Sequence, residues 1–119
     1  MRFMGFVKSA EQAGPPPEAL QQAMGQMIEE WTKKGALVDT GGLAPTAMGT
    51  YIRVSGGSVT VHDGPFSEAK EVVGGYAVMQ FDSKEAAVEA TKQFMELHHR
   101  HWPGWEGECE LRQIFGPND

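Results

Sequence analysis

The chain has 119 residues, of which 40% are hydrophobic and 22% are charged, and its net charge at pH 7 is −6. This length fits one globular domain, residues 1–119, that needs no disulfide or metal to stabilise it. Sixteen acidic residues against ten basic ones disfavour direct nucleic-acid binding. No apolar run approaches the roughly 20 residues that cross a bilayer. The N-terminus lacks a signal-peptide pattern, and Cys109 is the only cysteine, so we expect a cytoplasmic protein without disulfides.

The first half of the chain begins with a predicted strand over residues 2–7 and a proline-rich loop. A helix follows from Glu18, and its end is indicated by Lys33-Lys34 followed by Gly35. Ala36 to Val38 is a short predicted strand that Gly41-Gly42 interrupts. The apolar residues of the helix recur at the spacing of one face: Leu20, Met24, Met27, Ile28 and Trp31.

A β-hairpin is the clearest local prediction. Tyr51–Val54 and Ser58–His62 flank Gly56-Gly57, a two-glycine turn. In that register Val54 lies opposite Val59 and Ile52 opposite Val61, so four aliphatic side chains share one face. The other face is polar and carries Tyr51, Arg53, Thr60 and His62.

The second half continues with a turn at Asp63-Gly64-Pro65-Phe66 and a long strand over Val72–Phe81. Asp82 and Glu85 predict a capping box for a second helix, which Pro103 ends. A last strand is predicted over Glu108–Phe115, because apolar and charged residues alternate there. The apolar face of the second helix comprises Ala87, Ala90, Phe94 and Leu97.

Strand, helix, strand, hairpin, strand, helix and strand is the order of an α+β split βαβ sandwich, the ferredoxin-like plan with an added β-hairpin. In that plan both helices cover one face of the sheet and leave the other bare. A bare, largely apolar face favours association. We therefore expect a homodimer in which two sheets meet face to face.

Several segments resemble the DGPF branch of the YCII-related proteins. The most specific is Asp63-Gly64-Pro65-Phe66 with the residues that follow it up to Tyr76. The stretches Trp31–Leu43, Val54–Val61 and Glu106–Glu110 resemble that branch as well.

The resemblance implies a dimeric α/β barrel built from ferredoxin-like protomers, and no particular reaction. Some relatives are labelled transcription-initiation proteins or occur beside extracytoplasmic sigma factors, and a few resemble dehydrochlorinase-type enzymes. Relatives typically carry a histidine on the first helix that is proposed to work with a carboxylate. This chain has Met24 at the matching position, which argues against that pair here.

Asp63 is the candidate catalytic residue. At the exit of the hairpin, beside a dimer cleft, its carboxylate would serve as a general base or bind an amine. The alternative is a structural role, in which Asp63 accepts local backbone hydrogen bonds and Gly64, Pro65 and Phe66 shape the turn.

His98 and His101 lie three residues apart near the end of the second helix and share a side. They would supply two ligands of a metal site, but no third ligand at a fixed spacing accompanies them, so we assign no metal or other cofactor. The alternative is that these histidines are favoured by the helix dipole.

The remaining candidate ligand-binding residues are Arg53 and His62 on the hairpin, Tyr76 at the end of the motif, and Trp102 in the loop after the second helix. Arg53 offers a planar fork and His62 a titrating ring for an anion, although a solvated sheet face explains both residues too. Trp102, with Trp105, suits a pocket or an interface.

Two functions remain open from the sequence. The first is an enzyme or binding protein for a small molecule, with its site in a cleft of the dimeric barrel. The second is a non-catalytic regulatory or adaptor protein linked to sigma-factor or transcription signalling. A concave pocket with a titratable group of shifted pKa would favour the first, and a flat exposed patch would favour the second.

Overall fold

The computed structural model describes residues 1–11, 14–66 and 71–117. Residues 12–13 of the proline-rich loop and residues 67–70 of the DGPF-type motif lie outside this description. The described residues form, in chain order, β1 (Arg2–Ser9), α1 (Glu18–Lys33), β2 (Leu37–Gly42), a 3₁₀ turn (Thr46–Met48), β3 (Thr50–Ser55), β4 (Ser58–Asp63), β5 (Val72–Gln80), α2 (Lys84–His101) and β6 (Gly107–Ile114).

Four strands form an antiparallel sheet in the order β2-β5-β1-β6, and β3 pairs with β4 in a separate two-stranded sheet. This is a mixed α+β architecture, and its strand order is compatible with the ferredoxin-like plan. The α+β class predicted from the sequence is confirmed. Among the described helices, none has the length and apolar character needed to span a membrane.

The local signals in the sequence explain where most elements begin and end. Helix α1 ends as predicted, with Gly35 at a φ of +77°, where its amide donates to the Thr32 carbonyl. The hairpin has the predicted pairs Val54–Val59 and Ile52–Val61. Both turn glycines have positive φ, as this type of hairpin turn requires.

Two predicted boundaries were wrong. Helix α2 is capped by Ser83, one residue after Asp82, and the Ser83 hydroxyl accepts a hydrogen bond from the Ala86 amide at 3.1 Å. Strand β2 does not stop before Gly41-Gly42 but includes both glycines. Gly41 lies opposite Tyr76, and a Cβ there would lie 3.0 Å from the Tyr76 ring, so the glycine makes room for that ring.

The core lies between the helices and one face of the sheet. Phe3, Leu37 and Met79 are buried on that face, and α1 and α2 contribute Leu20, Ala87 and Ala90. The opposite face of the sheet, which we call the open face, carries half-buried side chains because no described element packs against it. They are Met4, Phe6, Tyr76, Val78 and Ile114.

The hairpin β3–β4 projects from this body. Its four aliphatic side chains, Ile52, Val54, Val59 and Val61, are between 65% and 79% exposed. The alternation predicted from the sequence is present, but within one chain nothing described covers the aliphatic face. The hairpin therefore presents apolar surface of the kind that favours association.

Candidate functional site

A cavity of about 560 Å³ lies between the two helices and the sheet, within the range of small-molecule sites in proteins. It exists because small residues occupy the helix-facing side of the sheet, where Gly5 lies opposite Ala77 and Val7 opposite Gly75 and Cys109. Apart from the buried Leu20, the side chains that α1 turns toward the sheet are only half-buried. They are Met24, Met27, Ile28 and Trp31, and all four line the cavity.

His98 is the titratable side chain that α2 contributes to this cavity, and it is only 5% exposed. Its Nδ1 lies 3.1 Å from the Phe94 carbonyl oxygen. Because a carbonyl only accepts, Nδ1 carries the proton, and Nε2 of the neutral ring has a free lone pair. Burial lowers the pKa of His98 below its ordinary value of 6.5, and the hydrogen bond to Phe94 opposes this shift only partly. His98 is therefore neutral at pH 7.

The other ring nitrogen, Nε2, makes no hydrogen bond within the described part of the chain. In the described part of the chain no buried side-chain nitrogen or oxygen lacks a hydrogen-bond partner. The one hydrogen bond that the His98 ring makes uses Nδ1. Nε2 must therefore be accessible, and the cavity is the space that His98 lines.

Aromatic rings surround His98. Phe94 contacts it edge-on with ring centroids 4.9 Å apart, and Trp105 lies at 4.8 Å. Trp102 stacks on Trp105 at 5.7 Å. Gly107 makes this arrangement possible, because a Cβ there would overlap the Trp105 ring and lie 2.6 Å from the Lys8 carbonyl oxygen. Trp102 and Trp105 thus belong to the end of the cavity where His98 lies.

The family of this chain follows from comparison with known proteins. The model of the YCII-related domain matches residues 1–95. The chain belongs to the YCII-related family. No curated protein matches it significantly. Trp102, Trp105 and Cys109, together with His98, lie beyond the stretch matched to the YCII-related domain, although they line the same cavity.

The DGPF-type turn of this YCII-related chain, residues 63–66, does not line the cavity. It packs against and hydrogen-bonds to the 3₁₀ segment at the edge of the cavity. A Cβ on Gly64 would overlap the Thr46 carbonyl oxygen, so only glycine fits. The Thr46 hydroxyl accepts from the Phe66 amide at 3.2 Å, and the same threonine donates to both carboxylate oxygens of Glu11, each at 2.7 Å. These hydrogen bonds lower the pKa of Glu11. The turn, the 3₁₀ segment and the loop after β1 are therefore tied together.

Asp63, the predicted catalytic residue, lies exposed at the end of β4. Its Oδ1 accepts a hydrogen bond from the Thr50 hydroxyl at 2.9 Å, and Asp63 is not among the residues that line the cavity. The structural alternative expected backbone donors, and the hydrogen bond that Asp63 accepts comes instead from a side-chain hydroxyl on the paired strand.

The predicted ligand-binding residues fall into two separate groups. On the hairpin, the rings of Tyr51 and His62 stack with their centroids 5.0 Å apart. The Arg53 guanidinium lies over the Tyr51 ring, 5.0 Å from its centroid. Neither Arg53 nor His62 lines the cavity. His98 and Trp102 do, whereas His101, one turn from His98, does not. Within the described residues no group of three His, Cys, Asp or Glu side chains is placed to hold a metal ion.

Tyr76 has a different place from both groups. Strand β5 borders the cavity at this residue, but the Tyr76 side chain shares the open face with Phe6. Its hydroxyl donates to Asp39 Oδ2 at 3.0 Å, and the hydrogen bond to that carboxylate raises the pKa of Tyr76. The side chain is therefore placed to contribute to the surface that the open face presents.

The cavity itself was not predicted. Its signal in the sequence is the spacing Thr91, Phe94 and His98, which puts His98 on the apolar face of α2 together with Ala87 and Ala90. Trp31 and Met24, which the helical spacing puts on the apolar face of α1, are half-buried residues of the cavity wall.

Proposed function

We propose that this YCII-related protein binds a small molecule in the cavity between its helices and its sheet, with His98 as the polar group that contacts it. The observation that carries the proposal is a 560 Å³ apolar cavity onto which a neutral, buried imidazole opens. A lone pair held in such a place is also what a general base needs, so the same geometry suits proton transfer. Asp63 has no part in this site.

The proposal includes a homodimer in which the open faces of two copies meet, as in the dimeric α/β barrel that the family resemblance implies. Met4, Phe6 and Val78 would pack at the centre of that interface. The ion pair between Lys8 and Glu110, with 2.7 Å between Nζ and Oε1, would lie toward its edge. The cavity lies within one protomer, on the other side of the sheet from the open face.

Filling the cavity tests the proposal. Ala77 lines it from strand β5, so Ala77→Phe, or the smaller Ala77→Leu, would occupy the volume a ligand needs. Val88→Phe is the matched control, because Val88 is an exposed residue of α2 outside the cavity. We expect compounds from a small-molecule library to raise the melting temperature of the wild type and of Val88→Phe. The Ala77 variants should lose that response. Equal responses in all four proteins would refute the cavity as the binding site.

An adaptor role is the second candidate function, because the aliphatic face of the hairpin is a flat exposed patch. The cavity and His98 favour the first function. The adaptor role requires that the aliphatic face of the hairpin stays accessible in solution. A Val54→Cys thiol should be protected from labelling if a second copy covers the hairpin, and it should react fully if the face is kept free for another protein.

A further inference from the structure

The polar groups that α2 turns into the cavity have a shared property. The Thr91 hydroxyl donates to the Ala87 carbonyl at 2.8 Å, and Nδ1–H of His98 donates to the Phe94 carbonyl at 3.1 Å. Each side chain therefore donates its one polar hydrogen to a carbonyl of its own helix and presents lone pairs to the cavity. Across from them, the Thr40 hydroxyl donates to the Tyr76 carbonyl at 2.8 Å. Three polar side chains of the wall are thus acceptors.

The charges and the aromatic rings of the cavity wall limit the chemical class of ligand further. No described residue of the cavity wall is a lysine or arginine, and Glu11 is its one carboxylate. A carboxylate or phosphate on the ligand would meet a neutral imidazole that offers no hydrogen, and no cationic side chain among the described wall residues would offset its lost hydration; the indole N–H groups of the tryptophans are neutral donors. Next to His98, the rings of Phe94, Trp102 and Trp105 offer flat apolar surface on which an aromatic ring packs.

We propose that the cavity selects uncharged, largely aromatic molecules that donate an O–H or N–H hydrogen bond to Nε2 of His98, the chemical class of phenols and aromatic amines. This inference rests on the proposed function, because it names the ligand class of the same cavity. It assigns His98 the role of a binding residue that selects ligands with an O–H or N–H donor. The aromatic rings supply affinity without selecting among flat ligands of equal size.

Three probes of nearly equal shape test the ligand class. 2-Naphthol carries the donor, 2-methoxynaphthalene replaces its hydrogen with a methyl group, and 2-naphthoate carries a negative charge. In equilibrium dialysis at pH 7.5 we expect the wild type to bind 2-naphthol about three- to tenfold more tightly than the ether, the usual worth of one neutral hydrogen bond. The naphthoate should bind most weakly.

Variants at His98 connect this preference to one atom. His98→Phe keeps a flat ring beside Phe94 and Trp105 but has no lone pair, so naphthol and ether should bind it equally. His98→Gln carries an acceptor and should keep part of the preference. His101→Phe, the same substitution three residues away and outside the cavity wall, should behave as wild type. Circular dichroism before each titration checks that the variants are folded.

The outcomes separate the inference from the proposed function. If the ether binds as tightly as naphthol, or the naphthoate binds best, the donor class is wrong while the cavity stands as a binding site. If His98→Phe keeps the naphthol preference, His98 is not the acceptor, and the inference fails. If none of the three probes binds the wild type, and Ala77→Phe leaves the library response unchanged, the proposed function fails and the inference fails with it.

Discussion

Replacing Met4 by glutamate tests whether a second copy of the chain covers the open face. Met4 lies on the central strand β1, where its cross-strand neighbours are Val78 on β5 and Arg112 on β6. In an isolated protomer the new carboxylate would face the Arg112 guanidinium, a pairing that stabilises a sheet by about 0.2–1 kcal/mol. The folded monomer should therefore tolerate the change.

The surface area of the chain makes a dimer the expected state of the wild type. A folded monomer of 13.0 kDa exposes about 6,300 Å² by the usual scaling with mass. This chain exposes 8346 Å². Its radius of gyration is 16.1 Å, against about 13.5 Å for a compact domain of this length. The excess, about 2,000 Å² per protomer, is the area that each partner buries in an obligate homodimer.

In such a dimer Met4→Glu would bury one carboxylate from each protomer. Even beside Arg112, a buried ion pair in place of apolar packing costs about 1–4 kcal/mol for each copy, so with two copies the dissociation constant should rise at least about thirtyfold. Sedimentation equilibrium at micromolar concentration should give twice 13.0 kDa for the wild type and 13.0 kDa for the variant. Gln26→Glu is the matched control, because it adds the same charge at an exposed position of α1, and this variant should stay dimeric. A monomeric wild type, or a dimeric Met4→Glu protein, would refute the reasoning.

Three further predictions concern stability. Because burial lowers the folded-state pKa of His98 below 6.5, the unfolded chain binds this proton first as the pH falls. The unfolding free energy of the wild type should therefore decrease between pH 7.5 and pH 5.5 more than that of His98→Phe, measured by urea denaturation; parallel curves would contradict the assignment. Gly64→Ala should lower the unfolding free energy by about 3 kcal/mol, because its Cβ overlaps the Thr46 carbonyl. Gly25→Ala should raise it by about 0.5–1 kcal/mol, because Gly25 lies in α1 with open space around its Cα. A neutral Gly64→Ala or a destabilising Gly25→Ala would show that these surroundings are wrong.

The sequence predicted features that depend on neighbouring residues. The hairpin register follows from Gly56-Gly57, because two residues that both need positive φ permit one pairing of the flanking strands. The end of α1 at Gly35 follows from the same property. The α2 cap was misplaced by one residue, since Asp82 and Ser83 both suit the position and only the backbone path decides between them.

The cavity could not be predicted in the same way, because its volume depends on residues that meet only in the folded sheet. Gly5, Ala77 and Thr40 belong to three different strands, and their small side chains leave space only because the pairing puts them side by side. Periodicity identified the apolar face of α1, but it cannot tell a side chain packed against a sheet from one that lines a gap above it. Met24 and Trp31 lie on the apolar face that periodicity identified, and the structure places both in the cavity wall.

The most specific sequence motif and the cavity of the proposed function lie in different places, and the reason is physical. The DGPF-type turn restricts its residues because Gly64 touches the Thr46 backbone and the Phe66 amide bonds the Thr46 hydroxyl, so packing alone accounts for it. His98 faces weaker local demands, since any residue that tolerates a helix would satisfy α2 at that point. A buried imidazole beside an open cavity lowers stability at acidic pH, and its one hydrogen bond within the described residues, from Nδ1 to the Phe94 carbonyl, leaves Nε2 unused. Under the proposed function, the ligand supplies the hydrogen bond to Nε2 that the described fold does not.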